Sequence, residues 1–330
     1  METKEGQVRL FCGTQPVAAV LWIFILLAIP SPLRAEEVRL GTWKTAQTIQ
    51  PFFYGQFLPP SWKATVSSFT NPGDQKAALL ACSLDMTGTT VALAIQAASR
   101  GEPVVMVAAL CNKCSALVVK KDGPVQSPAD LRGKRIGYVP GTMHEILLRE
   151  VLARAGLSAD KDVQLVRVDF FDMGTALAGG AIDAFLSGEP FPAVAQLQGY
   201  GRILSYPYFD DAIGAINAGM IVMRETVAKR PDLVGELVRA HARATEHLTG
   251  RPDEWVRKAS EFGIPVDVLR ESAGNIELAW KMDTSFVQKA KNLGIRMQEL
   301  GMIERQPDYG KLFDLSFVEA FQAAPQEAVP

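Results

Sequence analysis

Four cysteines, three histidines and a formal net charge of −2 in 330 residues leave room for few kinds of chemistry. A charge so close to balance supplies no basic field, which excludes nucleic acid as the main partner. The chain has no Ser-His-Asp order, zinc-spaced cluster, phosphate loop or pair of catalytic carboxylates. Its Met143-His144-Glu145 segment lacks the second histidine of a zinc-protease helix. Neither a catalytic residue nor a cofactor is expected. Long apolar runs are also missing, apart from one near the amino end, and the length suffices to bury one large core or two medium ones.

That run, residues 17–29, follows Lys4 and Arg9 and ends in Pro30-Ser-Pro-Leu-Arg-Ala35. It is too short for a comfortable membrane span and fits the three-part plan of a secretion signal over residues 1–35, cleaved after Ala35. The other reading is an uncleaved anchor helix. Cys12 precedes the run, so it is not a lipid-attachment cysteine. The mature chain is expected in the periplasm as a monomer, with three cysteines in an oxidising compartment.

What the chain has in plenty is alternation. Strand patterns at 37–42, 63–69, 83–86, 104–110, 115–120, 135–139, 163–168, 182–186, 202–205 and 218–223 are separated by helical ones, including a helix at 47–56. Helical patterns alone follow, at 231–249, 253–261, 266–275 and 284–300, and the last eight residues read as frayed. This predicts an α/β protein with mostly parallel sheets and helices on both faces. An internal echo points to two related lobes. Leu79-Leu-Ala-Cys-Ser-Leu-Asp85 matches Leu177-Ala-Gly-Gly-Ala-Ile-Asp183, each a helix end, a turn and a strand start. Cys82 falls in the slot of Gly180 and reads as a buried structural residue.

In open α/β sheets ligands sit beyond the carboxyl ends of strands. Thr87-Gly88-Thr89 and Ser187-Gly188-Glu189 would then face each other across a cleft. The threonine turn leads into an apolar helix, where its hydroxyls and amides suit an oxyanion or simply cap the helix. Thr142 and Glu145 read as a capping box, placing Met143 and His144 at a second helix start. Glu189 is either a ligand group or a carboxylate bridging the lobes. Trp43 lines the cleft or plugs the interface between lobes. Cys111 and Cys114 lie between two strands rather than at a helix start, which argues against a thioredoxin-like role. They form either a disulfide pinching the loop or, with Met86, Met143 or His144, a site for a soft metal.

Four segments, LDMTGTT, SPADLRGKRIGYVPG, MHEILLR and AGGAIDAFLSGEPF, in this order and spacing resemble the periplasmic solute-binding proteins of ABC importers. The branch is the one that includes nitrate-, bicarbonate-, sulfonate- and taurine-binding proteins. The resemblance implies a two-lobed, type II periplasmic binding protein fold with a ligand cleft between lobes. Residues 36–120 begin lobe 1, 121–217 form lobe 2, and 218–330 return to lobe 1 with the carboxy-terminal helices, the chain crossing near Lys120 and Ala218. It implies capture of a small oxyanion such as nitrate, a sulfonate or a carboxylate by hinge closure, and delivery to a membrane permease or a sensor kinase. It also implies that His144 contacts the ligand, with Phe69 and Asn217 in the same site. Phe69 stands where that branch carries tryptophan, and Cys111-Asn-Lys-Cys114 replaces its polar loop. Pyrimidine-precursor synthases share the scaffold, which leaves an enzyme as an alternative. The arginine face near Arg239 and Arg243 is a solvated surface or a dock for the permease.

Overall fold

The computed structural model describes residues 36–70, 72–209 and 212–324. The secretion signal expected over residues 1–35, Asn71, at which a helix running through Leu80 is expected to start, and the final six residues of the frayed end lie outside these. The strands are β1 (Glu36–Trp43), β2 (Trp62–Phe69), β3 (Met86–Thr90), β4 (Val104–Lys113), β5 (Ser115–Lys120), β6 (Arg135–Tyr138), β7 (Gln164–Arg167), β8 (Ala184–Gly188), β9 (Gly201–Ser205), β10 (Ile216–Met223) and β11 (Ile276–Leu278). The helices are α1 (Pro72–Leu80), α2 (Val91–Ser99), α3 (Met143–Arg154), α4 (Met173–Ala178), α5 (Phe191–Leu197), α6 (Arg224–Lys229), α7 (Pro231–Gly250), α8 (Pro252–Ser260), α9 (Val266–Ala273), α10 (Thr284–Glu299), α11 (Tyr309–Leu312) and α12 (Ser316–Ala323).

Two sheets form, a six-stranded one ordered β11-β4-β10-β3-β1-β2 and a five-stranded one ordered β7-β6-β8-β5-β9. Both are mixed rather than mostly parallel. β1 runs parallel to β2 and β3, and β6 to β7 and β8. β10 runs antiparallel to β3 and β4, and β5 antiparallel to β8 and β9. The cause is the crossing: β5 and β10 are the first strands after the chain changes lobe, and each starts at the edge where its neighbours end. β5 pairs in the second sheet, so the first crossing falls at Cys114 and not near Lys120. Lys113 and Cys114 both take left-handed backbone there, with φ of 59° and 67°.

β4 is buried over residues 104–111, which explains its unbroken apolar run: both faces of the sheet are covered. The main core gathers β1, β3, β4 and β10 with α2, α7 and α10. A smaller cluster around Val118, Phe185, Met173 and Leu177 fills the other face of the second sheet. α7 buries Leu233, Val234, Leu237, Val238 and His241, while Arg239 lies exposed and pairs with Glu236. No helix of the described residues is long and apolar enough to cross a membrane.

The echo between the lobes is a repeated clamp. Asp85 accepts from Arg39 N, Nε and Nη2 at 2.8, 3.2 and 2.9 Å. Asp183 accepts from the same three atoms of Arg135 at 3.0, 3.1 and 2.9 Å. Each clamp starts a parallel pairing, β1 with β3 and β6 with β8. The slot shared by Cys82 and Gly180 is a left-handed helix end, with φ of 56° and 76°. Cys82 is exposed, not buried, because the slot serves backbone reversal at the surface. The expected helix at 47–56 is two 3-10 turns, Ala46–Thr48 and Gln50–Gln56, since Pro51 has no N–H to donate. Three-residue β11 breaks the expected all-helical end, too short to leave a pattern.

Candidate functional site

A cavity with about 480 Å³ of empty space, its open mouth included, lies where β1, β2, β3 and β8 end beside the crossing. Trp43, Thr45, Gln47, Phe69, Thr70 and Thr90 line it from the first lobe. His144, Phe170, Phe171, Gly188 and Phe191 line it from the second, with Cys114 and Asn217 at the crossing. Of the residues singled out from sequence, Trp43, Phe69, Cys114, His144 and Asn217 are brought together in this lining. Thr87, Gly88, Thr89, Cys111, Thr142, Met143 and Glu189 are not among the lining residues.

The reasons differ. Thr87-Gly88-Thr89 is the interior of buried β3 and not a helix start. Gly88 permits close packing there, since a Cβ would fall 2.6 Å from Leu110 Cδ2. The helix cap is Thr90, whose Oγ1 accepts from Leu93 N at 3.2 Å. Thr142 caps α3 but has no hydroxyl proton to spare, because it donates to Val139 O at 2.8 Å. Glu145 closes the cap on Gly141 N at 2.8 Å, one residue earlier than a standard capping box, and pairs with Arg149 at 3.0 Å. Met143 is core.

His144 is the residue α3 presents to the cavity. Its Nδ1 lies 3.1 Å from Ser115 Oγ, and its ring meets Phe170 edge-on at 5.4 Å. Burial lowers its pKa to about 4, so it is neutral at neutral pH. Asn217 Nδ2 donates to Lys113 O at 3.0 Å and approaches Ser115 Oγ at 3.4 Å. Asn217 therefore ties both sides of the crossing to the imidazole.

Glu189 is the bridging carboxylate. It accepts from Ala193 N at 3.2 Å in its own lobe and from Asn275 Nδ2 at 3.1 Å just ahead of β11. Burial raises its pKa to about 7. Tyr208 joins the same seam, donating toward Asn275 Oδ1 at 2.5 Å and accepting from Ser115 N at 2.9 Å.

Cys111 and Cys114 carry free thiols and are both buried, so of the two alternatives the disulfide is not formed. The hydrogen bond with Cys111, then burial, push the Cys114 thiol well above its ordinary value and keep it protonated. Among the described residues no group of three or more His, Cys, Asp or Glu is placed to hold a metal ion.

Thr45, Gln47, Thr70, Thr90, Phe170, Phe171, Gly188 and Phe191 complete the lining beyond the residues singled out from sequence. A signal for two of them exists: Phe170-Phe171 is an aromatic pair directly after a strand. Gln47 has none, because its place depends on a 3-10 turn. Among the described residues no lysine or arginine lines the cavity, whereas five aromatic carbocycles or indoles do.

The NMT1/THI5-like family profile matches residues 65–255. A putative binding protein of Brucella abortus is 27% identical over 303 residues, spanning 87% of this chain and 91% of its own. The 4-amino-5-hydroxymethyl-2-methylpyrimidine phosphate synthase of Schizosaccharomyces pombe is 26% identical over 290 residues, spanning 79% and 82%. Among solved structures, the alkanesulfonate-binding protein SsuA from Xanthomonas axonopodis pv. citri, bound to MOPS, superposes with a TM-score of 0.75 at 19% identity. That superposition covers 84% of this chain and 98% of SsuA, and it is a likeness of fold, the two-lobed fold of periplasmic binding proteins.

Proposed function

We propose that this chain, which belongs to the NMT1/THI5-like family, is an extracytoplasmic binding protein that closes two lobes over a flat, uncharged aromatic molecule and passes it to an ABC-importer permease. One observation carries the choice of ligand: Trp43, Phe69, Phe170, Phe171 and Phe191 line a cavity that, among the described residues, no lysine or arginine lines. Rings of this kind bury large apolar area and hold another ring by stacked or edge-on contact. A bare oxyanion drawn from water needs a charge partner or several donors. His144 is neutral here, and the threonines expected to supply one anion-binding helix start lie inside β3. The reading therefore moves from a small oxyanion to a flat ring. The Schizosaccharomyces pombe relative is named for a pyrimidine phosphate, whose ring is of that kind.

Binding rather than catalysis fits the lining. Its one imidazole is held by Ser115, and its one thiol is kept protonated. Closure follows from the placement of the walls: a ring held between Trp43 and Phe69 on one lobe and His144 and Phe191 on the other stabilises the closed state. The apolar segment at residues 17–29 supports export.

The test is a titration of the mature protein, read by tryptophan fluorescence and calorimetry. Its ligands are pyrimidines, pyridines and pteridines on one side, and nitrate, taurine and alkanesulfonates on the other. A saturable response to a flat ring, lost in Trp43→Ala, is the expected result. Saturation by nitrate or sulfonate alone would overturn the aromatic reading.

A further inference from the structure

The segment that follows β1 leaves two polar atoms unpaired inside the cavity wall. Trp43 Nε1 and Gln47 Oε1 are buried and have no hydrogen-bond partner among the described residues, and both residues line the cavity. Gln47 is only 7% exposed. An indole N–H can only donate and an amide oxygen can only accept, so the two atoms ask for opposite things. Buried groups left in this state weigh against the fold unless something supplies the missing bonds.

The backbone that carries both side chains is held. Thr48 Oγ1 donates to Trp43 O at 3.1 Å and lies 3.1 Å from Thr45 Oγ1. Trp255 Nε1 donates to Ala46 O at 2.8 Å, directly beside Gln47. On the far side Gln50 Nε2 donates to Leu110 O at 2.8 Å. The backbone on both sides of Gln47 is thus anchored, which fixes where the Trp43 and Gln47 side chains leave the chain before any ligand arrives.

We propose that Trp43 and Gln47 determine specificity, selecting a flat ring with a neutral amide-type edge, a carboxamide or lactam, over a carboxylate or sulfonate. This deepens the aromatic-ligand reading and rests on it. An amide carbonyl accepts from Trp43 Nε1 while its N–H donates to Gln47 Oε1, so both atoms are paired by one neutral group. A carboxylate satisfies the indole but, with the Gln47 amide oriented as in the structure, sets a second acceptor against Oε1, and it brings a charge into a wall that no lysine or arginine lines among the described residues. A bare ring leaves both atoms unpaired.

Three pyridines of nearly one shape separate these cases: nicotinamide, 3-acetylpyridine, which keeps the carbonyl but has methyl for amino, and nicotinate. Calorimetry on the full mature protein is expected to show nicotinamide binding at least about tenfold more tightly than 3-acetylpyridine, with nicotinate weakest, since a site built around a hydrogen bond rejects the analogue lacking it. In Gln47→Met the nicotinamide preference should shrink to about twofold or less. The unliganded variant should melt no lower than the wild type, because an unpaired acceptor has been removed. Equal affinity for nicotinamide and 3-acetylpyridine, or a preference unchanged in Gln47→Met, overturns the assignment. If other flat rings bind while all three pyridines fail, this inference falls alone. If no ring of any kind binds, the aromatic reading beneath it falls as well.

Discussion

Gly188 stands in the seam between the lobes. A Cβ built on it would lie 3.1 Å from His144 Nε2 and 3.5 Å from Gln47 Nε2, one group from each lobe. Its backbone is outside the left-handed region, so alanine fits the local conformation and the effect falls on the cavity. Gly188→Ala is expected to leave the melting temperature within a few degrees of wild type and to weaken ligand binding about tenfold, roughly the reach of one misplaced methyl in a fitted pocket. Gly188→Val should weaken it further. A calorimetric titration beside a melting curve decides it: an affinity untouched by either substitution would mean the ligand does not sit in this seam. At this scale the sequence is readable where a residue ends a strand, as Trp43 and Phe69 do, or matches a known segment, as His144 does. It is opaque where composition is ambiguous. A hydroxyl-rich turn and a buried strand of β-branched residues look alike, which is why Thr87-Gly88-Thr89 reads as a helix start while Thr90 is the cap.

Helix α1 ends on a residue that its counterpart in the second lobe replaces with glycine. Cys82 holds φ at 56° and is exposed, so its side chain packs little, while its carbonyl accepts from Arg39 Nη1 at 2.9 Å. Left-handed backbone costs a non-glycine residue about 1–2 kcal/mol, and glycine loses about 0.5–1 kcal/mol in the entropy of the unfolded chain. The first effect is larger. Cys82→Gly should raise stability by about 0.5–1 kcal/mol, seen as a higher denaturant midpoint at an unchanged slope, whereas Cys82→Val should lower it. A midpoint that falls in Cys82→Gly would mean the thiol contributes contacts the structure does not show. The pairing of the Cys82 and Gly180 slots is legible because helix end, turn and strand recur with the same spacing and the same terminal aspartate. What escapes is burial, since a small thiol suggests a core while the position is set by backbone geometry. The crossing escapes for the opposite reason: Lys113 and Cys114 reverse the chain without a glycine or proline to mark it. Mixed pairing escapes as well, because strand direction is set by where the chain enters each lobe.

Three buried groups govern how the whole molecule answers to pH, and they pull in opposite directions. Burial holds His144 and His241 at pKa values of about 4 against an ordinary 6.5. His241 fills its place as the neutral form, with Nδ1 accepting from the Tyr54 hydroxyl at 2.8 Å and Nε2 donating to Ala109 O at 2.7 Å. Between pH 6.5 and 4 the unfolded chain therefore takes up protons that the folded chain refuses, and stability falls as pH drops, by up to about 3 kcal/mol for each histidine. Glu189 has the reverse sign, its pKa raised by burial from 4.5 to about 7. From pH 4.5 to 7 the folded chain keeps a proton that the unfolded chain releases, so this group lowers stability as pH rises, again by up to about 3 kcal/mol. Two histidines outweigh one carboxyl below pH 6.5. Wild-type stability should therefore peak near pH 7, where the last histidine gain balances the last of the Glu189 loss, and decline toward pH 4. Glu189→Gln isolates the second effect: its stability relative to wild type should rise across pH 5 to 7.5 and then level off. His144→Gln should remove nearly all of the net decline on the acid side, because His241 and Glu189 then roughly cancel between pH 4.5 and 6.5. Urea melts at four pH values between 4.5 and 7.5 read all three curves. The bonds Glu189 accepts from Asn275 and Ala193 favour its charged form, so burial is what opposes its ionisation in the seam. Parallel wild-type and Glu189→Gln curves would show that this carboxyl titrates at its ordinary value and that the seam is indifferent to pH.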